Sequence, residues 1–475
     1  MNDLLVILPT IILALGGTIL LLVDLAIPRE SKAVTGWVAI AILALSGLVV
    51  PMQWGVNALG FGGMVKADAY SLFLDVLFAV IGVITILISQ RYNAATGIMR
   101  GEFYPLMLFS LSGMSLLGHA NDLLIVFLGI ELLSIPLYVL CGFARPKQES
   151  EESAMKYFLL GAFASGFLVY GVALMYGATG STNLSVISKA AALNTHSGLL
   201  LAGAALVLVG LGFKAAMAPF HMWTPDVYQG APTVVTAFMS TATKAAAFAA
   251  MIRVLMLGLL PIAAAIQPAI VVLAALTMIV GNVTALAQKD LKRMLAYSSI
   301  AHAGYILLGV ASGATAAPSV LFYLASYAAT SLAAFGVMTS VGADQPQEDQ
   351  SIAAYTGLFN RRPMLAVVMA LAMFSFMGIP PTAGFAGKYF LFQSAVNSGL
   401  VWLAVLGVIT SVVSVAYYLR VVITMFSKQT DEAVAGQSNA PRSVWSGVAT
   451  LAAAIAILWI GLMPASLLAM ASLAP

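Results

Sequence analysis

The chain has 475 residues, of which 61% are hydrophobic and only 8% are charged. About a quarter of the residues of a soluble domain are charged, so this composition excludes a soluble fold and predicts an all-α integral membrane protein. The formal net charge of +3 with scattered basic residues excludes a nucleic-acid binder. The single cysteine, Cys141, and four histidines without ligand-like spacing exclude disulfides, iron–sulfur clusters and Cys-based zinc sites, so any redox cofactor must belong to a partner.

Apolar runs interrupted by proline, glycine or charge divide the chain into fourteen predicted membrane-spanning helices. Each span needs about 20 mainly apolar residues, and a chain of this length has room for that number. The first run lacks the basic start of a secretory signal, so we interpret it as a retained span. The predicted spans are residues 3–27, 34–53, 70–92, 101–118, 121–143, 155–178, 198–220, 231–257, 265–287, 294–312, 316–342, 362–392, 398–427 and 443–472.

Lysine and arginine residues orient these spans. With residue 1 outside, thirteen basic residues lie in or beside cytoplasmic connections and two in external ones. This asymmetry follows the positive-inside rule when the number of spans is even and both termini are periplasmic. The two external residues are Lys66 and Lys189, and the cytoplasmic ones are Arg29, Lys32, Arg91, Arg100, Arg145, Lys147, Lys289, Lys292, Arg293, Arg361, Arg362, Lys428 and Arg442. The longest connections, residues 54–69, 179–197, 343–361 and 428–442, have the composition of exposed loops.

Two spans contain helix breakers. The seventh runs from Lys214-Ala-Ala-Met-Ala-Pro219 into Trp223-Thr-Pro225-Asp226, and the twelfth contains Gly378-Ile-Pro380-Pro381. Proline leaves a carbonyl unpaired, and at membrane depth such backbone survives where it lines protein or water. The breaks lie five spans apart, and an odd offset reverses direction across the membrane, as in inverted-repeat transporters. The alternative is that the prolines simply kink two packed helices.

These features predict four regions. Residues 1–100 form an N-terminal three-helix segment, residues 101–260 form repeat A with helices 4–8, and residues 261–430 form the inverted repeat B with helices 9–13. Residues 431–475 contain helix 14. Helices 7 and 12 are discontinuous in this prediction.

Four ionisable residues fall well inside apolar spans: Glu131, Lys214, Lys244 and Lys388. Each charge near the bilayer centre costs about 2.5–3.5 kcal/mol on insertion scales, so such groups normally pair or line a polar route. Buried lysine can release its proton when a neighbouring charge moves, whereas arginine stays protonated. The choice of lysine at the deep positions therefore favours proton transfer over static charge pairing.

Other polar residues have two interpretations. Lys156 lies near the inner end of span 6, where it either takes part in transfer or extends its ammonium group to the interface. His302 is either a proton relay or a hydrogen-bonded packing residue. Asp75 and Asp24 are candidates for local hydrogen-bond partners. His221 and Asp226, at the inner end of span 7, fit either an entrance or a surface contact.

The segment from Lys214 to Thr233, with its Trp-x-Pro-Asp-x-Tyr-x-Gly-x-Pro pattern, resembles the signature of the antiporter-like subunits of proton-pumping NADH:quinone oxidoreductase, respiratory complex I. The Glu131-Leu-x-Ser-x-Pro, Ser-Ser-Ile-Ala-His302 and Gly-x-Pro-Pro-x-x-Gly-Phe-x-Gly-Lys388 motifs extend the resemblance along almost the whole chain. The tryptophan form indicates one branch of that family, because the other large subunits carry an acidic pattern after the proline. The chain also stops soon after span 14 and lacks the long lateral helix of the largest subunit.

The resemblance implies a role for each matched residue. Glu131 and Lys214 would form a coupling ion pair, Lys244 would be the central relay and Lys388 the far relay. Lys156 matches a lysine that the family places on span 6, and His302 is included as a relay candidate. This chain would bind no cofactor, and FMN, iron–sulfur clusters and quinone would be held by partner subunits. It would contact neighbouring membrane subunits in the bacterial cytoplasmic membrane.

Three alternatives remain at this point. A stand-alone or multisubunit cation/proton antiporter would share the fold and the lysines, although the tryptophan pattern argues against it. A structural membrane subunit with a disabled channel is disfavoured by the complete set of buried charges. A related complex fed by ferredoxin, formate or hydrogenase modules would use an equivalent subunit, because the electron donor is determined by other chains.

Overall fold

The structure, a computed structural model, describes residues 2–345, 348–428 and 443–472. Most of these residues are helical, which confirms the predicted all-helical membrane fold. A two-stranded antiparallel hairpin, β1 (Ala58–Gly60) and β2 (Val65–Ala67), occupies the predicted connection 54–69. Nearly all of the predicted connection 428–442, including Arg442, lies outside the described residues.

The N-terminal segment contains four helices. The predicted first span is two helices, because the first one ends at Val6 and Pro9 occupies the first turn of the second. Asp68 caps the fourth helix, since its carboxylate accepts a hydrogen bond from the backbone N–H of Ser71 (3.0 Å). The helices are α1 (Asp3–Val6), α2 (Leu8–Asp24), α3 (Ala33–Gln53) and α4 (Ala69–Ala95).

The next six helices include the first predicted break. The seventh span stops being helical at Lys214 and resumes as a short helix at Trp223. The predicted loop 179–197 contains a helix, α8, because the Asn183 side chain caps its first turn. The helices are α5 (Phe103–His119), α6 (Leu123–Cys141), α7 (Gln148–Thr179), α8 (Leu184–Leu193), α9 (Gly198–Lys214) and α10 (Trp223–Gly230).

The eighth span, Thr233–Gly258, alternates between two helix types. It consists of α11 (Thr233–Phe238), a π-helical turn (Met239–Thr243), α12 (Lys244–Met251) and a second π-helical stretch (Ile252–Gly258). π-Helical turns inside α-helices are rare and frequently occur at functional sites. Lys244 is the first residue after one of them.

The remaining helices contain the second break, between Met377 and Ala383. They are α13 (Ala263–Leu286), α14 (Leu291–Ala311), α15 (Ala317–Gly342), α16 (Leu358–Arg361), α17 (Pro363–Met377), α18 (Ala383–Asn397), α19 (Val401–Phe426), α20 (Val444–Leu462) and α21 (Pro464–Ser472). Short 3-10 helices lie at Arg29–Ser31, Phe61–Gly63, Leu260–Ile262, Ala314–Ala316 and Ile352–Tyr355.

Every predicted span overlaps a helix, and ten helical stretches in the described residues are long and apolar enough to cross a bilayer unaided. Several of the others are shorter or broken, as at the two predicted breaks. The first-half pair α7 and α9 pack together, as do α15 and α18 in the second half. The number fourteen, the four regions and the inverted repeat stay predictions.

The core is formed by the least hydropathic spans. In the most apolar 18-residue segment of Thr233–Gly258, 100% of the residues are buried inside the protein. The corresponding shares are 94% for α14 and 89% for the span that contains α15. By contrast, only 33% of the residues are buried in the corresponding segments of α3 and α7. The polar residues of the central spans therefore face one another inside the protein, while apolar peripheral helices surround them.

Candidate functional site

Lys214 ends α9 at the first break and is buried, with 5% of its surface exposed. Its Nζ donates hydrogen bonds to Ser134 Oγ on α6 and to Tyr157 OH on α7, each at 2.7 Å. The same ammonium group lies 4.8 Å from the centre of the Tyr157 ring. No carboxylate among the described residues lies within 4.0 Å of it. Neutral oxygens and an aromatic face therefore hold this lysine.

The break next to Lys214 is organised by Trp223, the first residue of α10. Its indole N–H donates to the carbonyl oxygen of Phe213 at 2.9 Å. The same carbonyl also accepts the backbone N–H of Ala216 at 3.1 Å, so the indole is a second donor at the end of α9. The indole also stacks on the ring of Tyr157, with centroids 4.7 Å apart. The tryptophan of the sequence motif thus fixes both the break and a partner of Lys214.

Glu131, one turn before Ser134 on α6, is half-buried and does not contact Lys214 directly. Its carboxylate accepts a hydrogen bond from Ser165 Oγ on α7. A small cavity of about 10 Å³ is lined by Lys214 and by both serines, Ser134 and Ser165. The expected ion pair is therefore not formed in this structure, because Glu131 turns towards α7 while Ser134 faces the lysine.

Lys244 lies at the centre of the molecule and is 3% exposed. Its Nζ donates to the carbonyl oxygen of Ser299 on α14 at 2.6 Å and lies 5.5 Å from the ring centre of Tyr327 on α15. Within the described residues, the hydroxyls of Thr243, Ser299 and Ser331 are buried without a hydrogen-bond partner. Such groups normally bind water, so the surroundings of Lys244 are polar.

Lys388 lies on α18 and reaches back across the second break. Its Nζ donates to the carbonyl oxygens of Phe376 (2.8 Å) and Met377 (3.0 Å), the last two residues of α17, and to Ser411 Oγ (2.7 Å). These carbonyls belong to a helix end and have no partner within it. Gly378 adopts a φ of 86°, and a Cβ there would lie 3.0 Å from Lys388 Cδ. The break and the lysine are therefore built around each other.

His302 on α14 connects the surroundings of Lys244 and Lys388. Its Nδ1 lies 2.6 Å from Tyr323 OH and its Nε2 lies 3.1 Å from Tyr418 OH. The Tyr418 hydroxyl also contacts Ser298 Oγ, next to the residue that binds Lys244. The imidazole packs on the ring of Phe376, with centroids 5.2 Å apart, and the carbonyl of Phe376 binds Lys388.

Lys156 lies apart from this buried line, at the rim of the protein, with 39% of its side chain exposed. Its Nζ forms ion pairs with Glu152 (2.6 Å) and Asp226 (2.7 Å). Asp226 also pairs with Arg293 at 2.7 Å. Burial alone would raise the pKa of Asp226, but the two cations outweigh it and hold that pKa below its usual value. The geometry matches the interfacial interpretation of Lys156.

Two other buried groups, Arg253 and His119, are paired with carboxylates. Arg253 forms a two-pronged pair with Asp68, with distances of 2.8 and 2.6 Å. Burial alone would raise the pKa of Asp68, but Arg253 holds it at about 2. Asp75 contacts His119 Nε2 at 2.9 Å, in agreement with its prediction as a local hydrogen-bond partner. These pairs do not involve Lys214, Lys244 or Lys388.

Lys292, predicted in or beside a cytoplasmic connection, is a buried residue that the sequence pattern does not single out. Asp290 caps α14, which begins at Leu291, three residues before the predicted start of the span. Lys292 is consequently in the first turn of the helix, fully buried, and donates to the carbonyl oxygen of Ala231 at 2.6 Å. The capping pattern at Asp290 was the available signal.

The family described as NADH:quinone oxidoreductase/Mrp antiporter, transmembrane, matches residues 120–414. A Chloroflexus aggregans protein called NADH-quinone oxidoreductase subunit N is 46% identical to this chain and covers 98% of it and 96% of its own length. A Trichlorobacter lovleyi protein of the same name is 47% identical, covering 90% of this chain and 88% of its own.

The fold is also similar to a solved structure. A chain of respiratory complex I from Thermus thermophilus, determined with bound aureothin, is 38% identical, with a TM-score of 0.83. The match covers 97% of this chain and 98% of that one. The names of both sequence relatives agree with the branch indicated by the tryptophan pattern. All six residues predicted as relays lie within the range matched by the family.

Proposed function

Because the chain belongs to the family of NADH-quinone oxidoreductase subunit N, whose members are antiporter-like membrane subunits, we propose that it moves protons through a buried Glu/Lys relay. It does so as a non-redox subunit of an NADH:quinone oxidoreductase. Electron transfer from NADH to quinone takes place in partner subunits, which hold the FMN, the iron–sulfur clusters and the quinone. Its direct partners are the neighbouring membrane subunits of that complex.

The chain spans the bacterial cytoplasmic membrane with both termini on the periplasmic side. The bias of basic residues supports this orientation. The connections α6–α7, α10–α11, α13–α14 and α15–α16 then lie on the cytoplasmic side. Lys156, Asp226 and Arg293 belong to that surface.

The observation that carries the proposal is the line of buried cations without carboxylate partners. Among the described residues, no carboxylate lies within 4.0 Å of Lys214, Lys244 or Lys388. A buried ammonium without a counter-ion is costly, so the neutral amine is accessible to each lysine. Each can therefore accept and release a proton, a property that an arginine would not have.

Hydroxyl groups supply the connections between these amines. On the Lys244–Lys388 side, Ser298, Tyr418 and His302 form a continuous hydrogen-bonded chain. Among the described residues, Thr224 and Thr243 have buried hydroxyls without a hydrogen-bond partner, and so has Ser299, whose carbonyl binds Lys244. Hydroxyls both donate and accept, so with water between them they relay protons without moving far.

Glu131 controls the first amine. The carboxylate is held by Ser165 on one side of the small cavity, and Lys214 is held by Ser134 on the other. A conformational change driven by electron transfer brings the two groups together or separates them. Pairing favours the ammonium form of Lys214, and separation releases its proton towards Lys244 and Lys388.

The Lys214→Met variant tests this proposal in the assembled complex. We expect proton transfer through this chain to fall by about 100-fold, which lowers the number of protons moved per NADH oxidised in sealed vesicles. Lys189→Met, at an exposed position of α8, is the matched control and should pump normally. A native gel shows whether the complex is intact, and undiminished pumping by the intact Lys214→Met complex would refute the relay.

A further inference from the structure

A large polar cavity opens beside Lys156, where the connections α6–α7, α10–α11, α13–α14 and α15–α16 meet. Its volume is about 930 Å³, and six carboxylates but only three basic side chains line it. Two of the acids, Asp290 and Glu348, come from the connections next to α14 and α15. Burial raises the pKa of Asp290. Its hydrogen bonds and the nearby Lys292 act in the opposite direction, but the effect of burial is larger. The lining can therefore hold protons as well as negative charge.

Lys292 lies behind the lining of this cavity. It is fully buried, and its hydrogen-bond acceptor, the carbonyl oxygen of Ala231, belongs to a residue of the lining. No carboxylate of the described residues lies within 4.0 Å of its Nζ. Its place in the first turn of α14 adds the positive end of the helix dipole to the cost of a buried ammonium. A simple structural anchor would not require a cation there.

Glu348 anchors the α15–α16 connection above this point. Its carboxylate accepts hydrogen bonds from Tyr92 OH (2.7 Å) and from the hydroxyl of Thr233, the first residue of α11. Asp344 of the same connection pairs with Arg91, the neighbour of Tyr92. A carboxylate is thus fixed between the cavity and the start of the span that carries Lys244.

Lys292 is also aligned with Lys244. Ser299, whose carbonyl binds Lys244, follows Lys292 by seven residues on α14, which is two turns or about 10 Å along the same face of the helix. Ala296, between them on that face, is small and fully buried. The Ser299 hydroxyl is buried without a partner among the described residues. One face of α14 therefore carries both Lys292, next to the cavity, and Ser299, which binds Lys244.

We propose that Lys292 takes up protons from the acidic cavity and delivers them to Lys244. A carboxylic acid of the lining gives its proton to the neutral amine of Lys292. The ammonium group formed then passes a proton through the Ser299 hydroxyl and water to the neutral amine of Lys244. The carboxylate regains a proton from water in the cavity. This inference rests on the proposed proton relay and assigns its cytoplasmic uptake residue.

Proton pumping by the assembled complex, compared for Lys292→Arg and Lys292→Met, tests the inference. Arginine preserves the charge and the donor to Ala231 but does not release a proton, whereas methionine removes both. We expect each variant to lower proton transfer through this chain by about 100-fold. Lys289→Met, at an exposed position three residues away, is the control and should pump normally.

Normal pumping by an intact Lys292→Arg complex would overturn the inference and leave Lys292 as a structural anchor. Lys244→Met separates this failure from failure of the relay itself. Loss of pumping in Lys244→Met with normal pumping in Lys292→Arg would refute only the uptake role, and normal pumping in both would refute the relay. If neither Lys292 variant assembles, Ser299→Ala decides, because alanine removes the hydroxyl and keeps the backbone carbonyl that binds Lys244. Pumping should then fall, and unchanged pumping would exclude the route.

Discussion

The lysines at the two helix breaks are held in different ways. Lys214 donates to two side-chain hydroxyls, those of Ser134 and Tyr157. Lys388 donates to two main-chain carbonyls, those of Phe376 and Met377, and to one hydroxyl. Hydroxyls rotate and can donate as well as accept, whereas a carbonyl only accepts. The first site can therefore satisfy both the charged and the neutral amine, while the second is built for the protonated form.

This difference indicates different tasks in the proposed relay. Glu131 lies close to the Lys214 site, and both groups have partners that tolerate a change of pairing. The first site is therefore suited to switching. At the second site, the ammonium group has three hydrogens for three acceptors, whereas a neutral amine would have only two. The second site is therefore suited to holding a proton until the next transfer.

The largest expected effect comes from Lys388→Arg. The guanidinium group can donate to the carbonyls of α17 and preserve the break, but it stays protonated and so blocks transfer. We expect proton transfer to fall by about 100-fold in the assembled complex, with Lys189→Met as the unaffected control. Vesicle pumping assays measure the loss. Retained pumping would show that Lys388 serves only to fill the break.

The next effect concerns stability and compares the two sites directly. Lys388→Met leaves the carbonyl of Phe376 without a donor, at a cost of about 1–3 kcal/mol, while the Met377 carbonyl keeps the Ser411 hydroxyl at 3.2 Å. Lys214→Met leaves two hydroxyls, and these can rotate to other acceptors, so its cost should be smaller. The temperature at which the heated complex releases this subunit, followed on native gels, should be lower for Lys388→Met. Equal temperatures would contradict the distinction between the sites.

The sequence was sufficient to locate the ionisable residues inside apolar spans but not to predict their contacts. Glu131, Lys214, Lys244 and Lys388 stand out because a charge inside an apolar run is visible in one dimension. The absence of a direct Glu131–Lys214 contact depends on which way a half-buried side chain turns. That choice is made by Ser165 on another helix. Pairings of this kind are tertiary and leave no periodic signal.

The start of α14 explains why the burial of Lys292 could not be predicted from the sequence. The charged run from Lys289 to Arg293 resembles an exposed connection, so the pattern does not show that Lys292 is buried. Capping by Asp290 starts α14 earlier and turns one member of that run inwards. Because a helix has 3.6 residues per turn, a shift of three residues decides which of several neighbouring cations is buried. Capping was the deciding interaction, and hydropathy windows do not register it.

The smallest expected effect is at Lys156, which lies outside both lysine sites. Its ion pair with Asp226 is partly exposed, and exposed pairs contribute about 0.2–1 kcal/mol. The lowered pKa of Asp226 means that its contribution to stability is present above the usual carboxyl range and is lost as the pH falls through the lowered pKa. Between pH 6 and 8 the protonation of Asp226 should therefore not change. Lys156→Ala should change pumping by at most about twofold and leave the pH profile of pumping unaltered. A loss as large as that of Lys214→Met, or a shifted profile, would instead place Lys156 in the proton path and make the rim part of the relay.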